Sequence, residues 1–456
     1  MSAVPNDTEH AYLDDNASSS SSPASSSYDS DEYSYSDGDS DIPNTALSLN
    51  GEEGKRSHLR LLGMQSRSTC GYCGTESGSR FLAMRAIRLT CDDYQALIDR
   101  GWRRSGSLLY LTDHSDACCA YYTIRCHALN HVLSTSDKKL LRRMRRHTCS
   151  SSADTITAWH NEVSDPLVLR VCEIERAGRL TVRLEPASFS EEKFAVFERY
   201  QVAVHHDQEV SRNGFRRFLC DSPLLFQPLA VPGSGASPIS GLGSYHQCYY
   251  VDGRLAAVGV LDILPSCVSS VYLFYDPEFS HLSLGTFSAL REIALVRQLH
   301  AECLLPNLRY YYMGYYIPSC PKMTYKGRWR PAEMLDLRTY KWIPIDRCLE
   351  RIERHPVFCT FDPHVDALGI TRDRRGQVLD VVPAIGPELL TPEQQCCALQ
   401  QMEVLVDVSG HFGAPRRTVT LPAARLALIS TELEELMLQT YVSVGEQLAT
   451  RVTLSL

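Results

Sequence analysis

The chain has 456 residues, 44% of them hydrophobic, and a formal net charge of −8, enough for two or three cores of ordinary size. No apolar run is long enough to span a membrane and no basic-then-apolar leader opens the chain, so its 17 Cys read as reduced thiols, some of them metal ligands, rather than a disulfide framework. Twelve acids and no Lys or Arg precede Lys55, which leaves the rest of the chain at +4 and mildly basic.

Residues 1–55 are rich in Ser, Asp and Gly with almost no aliphatics. Such a segment cannot offset its ordering entropy, so a disordered acidic tail is expected. Residues 66–147 read as a small N-terminal cysteine-rich domain, with strands at 108–111 and 121–125 and a helix through Asp137–Arg146 capped by Ser136 or Asp137. Residues 148–167 are Ser/Thr-rich, contain Asp165-Pro166 and read as a linker.

Residues 168–456 read as a mixed α/β transfer domain with a helical packing region at its end. The pattern predicts a strand at 181–184 and a helix over 191–205. A hairpin follows, Tyr249-Tyr250-Val251 turning through Asp252-Gly253 into 255–264. Asp-Gly suits a type I′ turn because both central residues need positive φ. Gly259 inside the second strand marks a bulge or a close backbone approach. A strand at 268–275, a helix at 284–299 and an aromatic strand at 310–317 complete the order. Hairpin, strand, helix, strand is the order of an acetyltransferase-like (GNAT-type) sheet, by fold-level analogy. Beyond residue 364, two helices are expected at Pro392–Val406 and Pro422–Leu438 around a strand at 417–421, all packed on that same sheet, with no chemistry of their own.

The aromatic strand runs into Pro318-Ser319-Cys320-Pro321-Lys322-Met323-Thr324-Tyr325-Lys326-Gly327-Arg328-Trp329-Arg330-Pro331. Interleaved rings and cations suit an anionic partner with flat bases, or a peptide bearing carboxylates. Cys70-Gly71-Tyr72-Cys73 is a chelating turn, and Cys118-Cys119 a vicinal pair. Together they offer four thiolates to zinc or an iron–sulfur cluster, provided that the vicinal pair lies in a bend; packing thiols are the alternative. Cys396-Cys397 has no CxxC companion and reads as structural.

These segments resemble the arginyl-tRNA–protein transferase family over roughly 66–147 and 170–350. The resemblance is carried by the cysteine pairs, Gly101-Trp102-Arg103-Arg104-Ser105-Gly106, Tyr122-Thr123-Ile124-Arg125, Tyr200-Gln201-Val202-Ala203-Val204-His205 and Gly214-Phe215-Arg216-Arg217-Phe218-Leu219-Cys220. Ala257 through Pro265, Ser269 through Leu273, Ser283-Leu284-Gly285 and the aromatic run add to it. One departure is Ala120, where the family usually has proline after the vicinal cysteines. The resemblance implies an acetyltransferase-like fold that moves arginine from arginyl-tRNA to the α-amine of proteins beginning with Asp, Glu or oxidised Cys, marking them for ubiquitin-dependent degradation. It also implies a cluster, [4Fe–4S] with zinc as the alternative, on Cys70, Cys73, Cys118 and Cys119. A monomer or weak oligomer in cytoplasm or nucleus is expected, with no membrane partner.

Within that reading, Asp262 and then Glu292 are the candidate catalytic proton acceptors. The plainer roles are a turn cap for Asp262 and an ion pair with Arg291 for Glu292. Acceptor carboxylates call for charge-assisted donors, and Arg217, His246, Lys322, Tyr325, Lys326 and Arg328 are the candidates, each also readable as a surface or phosphate contact. Lys138, Lys139, Arg142, Arg143, Arg145 and Arg146 would spread around most of a helix circumference and bind tRNA phosphates, unless they form a solvated face. The competing reading of the whole chain is a non-catalytic, tRNA-binding adaptor that senses metal or redox state.

Overall fold

A computed structural model of the chain describes residues 56–114, 117–148, 165–176, 178–229, 239–302, 305–354, 358–361, 371–372, 378–379, 390–407 and 418–456. The expected acidic tail and most of the expected linker lie outside the described residues. The fold is mixed α/β, built on two mixed sheets.

The first sheet takes strands from both ends of the chain. Its order is β17-β16-β18-β1-β2-β4-β3. Here β1 is His58–Met64, β2 Phe81–Arg88, β3 Arg103–Ser105 and β4 Leu108–Thr112, while β16 is Glu403–Asp407, β17 Thr418–Pro422 and β18 Thr453–Ser455. Helix α1, Cys91–Ile98, is capped by Thr90, whose side chain accepts from the Asp93 amide. Two expectations for the C-terminal region change here. The helix expected over Pro392–Val406 stops at Gln401 (α9, Pro392–Gln401), and the apolar run Val404-Leu405-Val406 pairs as β16 instead. The helix expected over Pro422–Leu438 is two helices, α10 (Ala423–Ala427) and α11 (Thr431–Val444), because Ser430 caps a new start. This region therefore extends the sheet of β1, not the sheet preceding it in sequence; β18 lies parallel to β1 with Leu59 opposite Leu454. A short α12, Glu446–Ala449, leads into β18.

The second sheet runs β13-β12-β5-β11-β10-β9-β8-β6, with β7 (Gln227–Pro228) on the end of β8. Its strands are β5 Tyr122–His127, β6 Leu180–Pro186, β8 Gly241–Val251, β9 Arg254–Ile263, β10 Cys267–Tyr275, β11 Tyr310–Tyr316, β12 Ala332–Leu335 and β13 Trp342–Pro344. Strand β5 thus carries the cysteine-bearing segment into the sheet of the later chain. The β8–β9 hairpin turns at Asp252 (φ 51°) and Gly253 (φ 80°), both left-handed as a type I′ turn requires. Helix α6, Leu284–Glu302, and helix α3, Pro166–Arg176, cover one face of the sheet. The other face carries α4 (Glu191–Tyr200) and α5 (Arg212–Phe215), and each of these runs on into a π-helical turn, Gln201–His205 and Arg216–Cys220. Phe194, Phe197, Phe215 and Phe274 form the aromatic core under that second face.

One relationship positions the site. Strands β10 and β11 are parallel and pair only over Cys267–Ser269 with Tyr310–Tyr312. Beyond that β10 continues alongside β9 and β11 alongside β5, so the two strands part. The parting coincides with a break in register between Tyr312 and Tyr315, where Gly314 takes φ 73°. Only glycine adopts that conformation without strain, which makes the bulge possible.

Candidate functional site

The four expected thiols come together. Cys70, Cys73, Cys118 and Cys119 place their sulfurs within 4.8 Å of one another, with Cys73 to Cys118 at 3.2 Å and Cys70 to Cys119 at 4.0 Å. The turn is closed by the Gly74 amide on the Cys70 carbonyl at 2.9 Å, with Gly74 at φ 72°. The chain bends at Cys118-Cys119, as shared ligation demands, with Ala120 in place of proline. Gly78 is what lets the halves meet: a Cβ there would stand 2.7 Å from the Cys118 sulfur. The Cys70 thiol is held down to about 4, first by its hydrogen bond with Cys119 and then by Tyr121, while burial pushes Cys118 up to about 12. Four thiol donors this close together suit a metal ion. Cys396 and Cys397 are exposed on α9.

Tyr121 carries this site to the sheet. Its hydroxyl lies 3.0 Å from the Cys70 sulfur, and its ring packs edge-on against Tyr315 of β11. Ile317 closes the same cluster, with Cys320 and Met323 packed against it. The thiol site therefore abuts the start of the aromatic and cationic run.

At the parting of β10 and β11 the two faces of the sheet present different chemistry. On the α6 face lies Glu292, 1% exposed, which accepts hydrogen bonds from Ser270 and Tyr311. Burial raises its pKa to about 7. The ion pair with Arg291 does not form, because Arg291 turns instead to Glu175. Gly259 makes a close approach here: a Cβ would meet Glu292 Oε1 at 3.2 Å. On the α4 face the first π-helical turn brings Gln201 to the Tyr272 hydroxyl at 3.0 Å, and His205 Nε2 to within 3.5 Å of it. Burial lowers the His205 pKa; Asp207 raises it and the charge of the exposed Lys322 lowers it further. Tyr325 is 44% exposed, and burial, with the charge of Glu292, raises its pKa.

Several expected residues stand elsewhere. Asp262 is fully buried and receives Arg104 at 2.8 and 2.6 Å and Ser244 at 2.6 Å. Both its oxygens are engaged and it has no exposed surface, so this arrangement holds it as a clamped carboxylate and presents it to no substrate. His246 is also fully buried; its Nε2 lies 2.9 Å from the Leu219 carbonyl, and burial lowers it to about 4, so it belongs to the core beneath the second π-helical turn. Lys326 gives its ammonium to the Tyr315 carbonyl at 2.9 Å, and burial lowers it to about 7, which weakens it as an anion ligand. Arg328 pairs with Asp137 at 3.2 Å. Arg217 is exposed on the second π-helical turn, and its carbonyl lies so close to Gly106 that any Cβ there would collide at 2.1 Å. Asp262, Lys322 and Arg328 thus have separate surroundings.

The basic helix forms as α2, Thr135–Thr148, but Ser134 caps it: Ser134 Oγ accepts from the Asp137 amide at 3.1 Å and Asp137 Oδ2 from the Ser134 amide at 2.9 Å. The cations occupy the outer arc, not most of the circumference, because Leu140, Leu141 and Met144 are buried. Lys138, Lys139, Arg142, Arg143, Arg145 and Arg146 are all exposed.

Comparison with known proteins matches two family models, the arginine-tRNA-protein transferase N terminus over residues 68–139 and its C terminus over 192–336. Arginyl-tRNA–protein transferase 1 of Drosophila melanogaster is 31% identical, across 63% of this chain and 83% of its own. The chain belongs to the arginyl-tRNA–protein transferase family. Arginyl-tRNA–protein transferase 1 of Saccharomyces cerevisiae is 38% identical over 58% of this chain and 53% of its own. An aspartate/glutamate leucyltransferase of Pseudomonas putida is 28% identical over 63% of this chain and 97% of its own. The N-terminal match holds all four thiols, and the C-terminal match holds both π-helical turns, the parting strands and the run through Trp329.

Gly78, Ser134, His205, Gln247 and Arg104 were not singled out as working residues from sequence. Ser134 was legible, since Ser-x-x-Asp before an apolar-periodic stretch is a capping pattern. Gly78 and Arg104 carry no local signal, because each acts on a group far away in the chain.

Proposed function

We propose that this chain transfers arginine from arginyl-tRNA to the α-amine of proteins with acidic N-termini, using an acetyltransferase-like sheet whose parted strands form the reaction site. The observation that carries the reading is that parting within the matched C-terminal region, with the buried carboxylate of Glu292 on the α6 face. The amine nitrogen attacks the ester carbonyl, the bond to the ribose oxygen breaks, an amide forms, and the ribose hydroxyl takes up a proton as the tRNA leaves. An α-amine has a reference pKa of about 7.7–8, so a neutral fraction is present without a strong base. Lys322, assisted by His205, meets the acceptor's side-chain carboxylate, and the outer arc of α2 tracks tRNA phosphates. In this division of labour residues 66–147 supply the thiol site and the basic helix, and residues 168–456 the transfer site. The product would enter ubiquitin-dependent degradation, in cytoplasm or nucleus.

The thiol site we read as resident and structural. Its sulfur separations, all within 4.8 Å, suit a tetrahedron around one zinc, whose edges are about 3.8 Å for Zn–S bonds of about 2.3 Å. A four-iron cube would need the sulfurs to spread. Either group, once bound, would lock the chelating turn to the vicinal pair and so brace Tyr121 against β11.

The test combines purified protein, tRNA charged with labelled arginine, and peptides beginning with Asp or with Ala. Label on the Asp peptide is expected, with little on the Ala peptide. Label on neither rejects the enzyme in favour of the adaptor. Equal label on both rejects the acidic-acceptor assignment alone.

A further inference from the structure

Glu292 is a buried carboxylate without a cation. It lies at the middle of α6, 1% exposed, and its Oε2 has no hydrogen-bond partner. Its neighbour Arg291 is committed to Glu175 and, at 3.2 Å, to Gln298. No other ion pair among the described residues reaches it.

A second orphan stands on the α6 face of the same sheet, beside Tyr249, whose ring packs on Phe287 of α6. Gln247 of β8 stands directly across from Gly259 of β9 and is fully buried. Its amide nitrogen donates to the Tyr249 hydroxyl, which leaves Oε1 without a partner. A Cβ at Gly259 would lie 3.2 Å from Glu292 Oε1 and 3.8 Å from Gln247 Cβ, so the bare glycine lies between the two side chains. Leaving a buried acceptor unmatched costs about 1–3 kcal/mol, and more for a charged one. A pKa raised to about 7 by burial reports the same missing partner. The deficit is specific: Ser270 and Tyr311 donate to the carboxylate, but no cation meets its charge, and Oε2 and Gln247 Oε1 have no donor.

A guanidinium fits that deficit. It carries five N–H donors in a planar fork, pairs with a carboxylate at two points and has donors left for an amide oxygen. The entry this assignment requires is the parting of β10 and β11, beside the partly exposed Tyr325. We propose that Glu292 and Gln247 receive the guanidinium of the arginine carried on the tRNA, and so determine which aminoacyl group this chain will transfer. The inference rests on the transfer reading above and deepens it: Glu292 serves as the donor side chain's counter-ion, and the attacking amine sheds its proton elsewhere. A neutral isostere would leave the carboxylate buried and unpaired, and sites of that kind discriminate by large factors.

The experiment charges one tRNA with either arginine or citrulline, in which a urea oxygen replaces a guanidinium nitrogen, and measures kcat/KM for each on an Asp-initial peptide. The full chain should prefer arginine by about 100-fold or more. Glu292→Gln should lower arginine transfer about 100-fold while the arginine-to-citrulline ratio collapses toward one. Gln247→Met should reduce the preference about 10-fold, the worth of roughly one hydrogen bond. Wild type using both donors equally overturns the assignment. So does Glu292→Gln depressing both donors by the same factor, the signature of a base or of a counter-ion for the acceptor's ammonium. Should Glu292→Gln fail to fold, Gln247→Met decides, and an unchanged ratio there overturns the proposal. Wild type transferring neither residue removes the transfer reading itself, and this assignment with it.

Discussion

Arg104 grips Asp262 at two points, Nε to Oδ2 at 2.8 Å and Nη2 to Oδ1 at 2.6 Å, with both side chains closed to solvent. The arginine belongs to β3 of the first sheet and the carboxylate to β9 of the second. Arg104 also reaches Ser244 at 3.2 Å, and Ser244 lies 2.7 Å from Ser222. Burial works against the guanidinium's charge, yet Asp262 raises its pKa. The pair is a joint between the two halves of the molecule.

Breaking that joint on one side should therefore cost stability before it costs chemistry. Asp262→Asn or Arg104→Met should lower unfolding stability by about 3–5 kcal/mol, the usual result of stranding one buried charge. The double variant Arg104→Met with Asp262→Leu should recover part of the loss. Denaturant titration checks this. A large fall in kcat at unchanged stability would return Asp262 to the chemistry.

Gly78→Ala should impair metal loading although residue 78 is no ligand. The added Cβ would stand 2.7 Å from the Cys118 sulfur and displace it. Zinc, iron and sulfide per chain, measured after anaerobic preparation, should fall for Gly78→Ala much as for Cys73→Ser. Full loading of Gly78→Ala would show that the two cysteine pairs meet in some other way.

Glu292 should leave a mark on the pH dependence of stability. Its folded pKa, about 7, lies above the 4.5 of an ordinary glutamate. Between these values the folded state holds a proton that the unfolded state has lost, so stability falls as pH rises from 4.5 to 7 and levels off above. The full effect is about 3 kcal/mol at most. Glu292→Gln should flatten that segment of the profile and be the more stable protein at pH 8. Parallel profiles for the two proteins would mean that a cation already partners the carboxylate.

Charge reversal on the outer arc of α2 should weaken tRNA binding in a salt-dependent way. For Arg142→Glu with Arg145→Glu, the slope of log affinity against log salt should shrink by about 0.7–0.9 per lost phosphate contact. Arg328→Ala should act differently, by freeing Asp137 and loosening the start of α2. An unchanged slope in the α2 variant would place the tRNA on another surface.

The elements that were legible in sequence are those with short-range causes. Asp252-Gly253 declared its turn, the CxxC declared its chelating bite, and the run between 138 and 146 declared a basic helix, though not that Leu140, Leu141 and Met144 would confine its cations to one arc. What the sequence left open lies where a local pattern was ambiguous. Val404-Leu405-Val406 is apolar in any element, and only the arrival of β18 beside it makes it a strand. Asp262 looked like a site residue because it ends a strand near the expected opening, but whether such a carboxylate is free or clamped depends on an arginine 158 residues away.

Sequence by itself determined the reaction class to expect, the four thiols and the strand–helix order, since each is written in residue types at fixed spacings. Tertiary structure decided which polar groups are left without partners. Near its turn the β8–β9 hairpin pairs Val251 with Arg254 and Tyr250 with Leu255, but a register shift follows and Tyr249 meets Ala257. The extra residue, Ala256, lies in β9, so that slip sets Gly259 rather than Val258 opposite Gln247 and puts the bare glycine on the face where Glu292 waits. Side chains alternate faces along a strand, so a single extra residue reverses everything beyond it. No local propensity records such a slip; it is fixed by what the completed sheet must pack against.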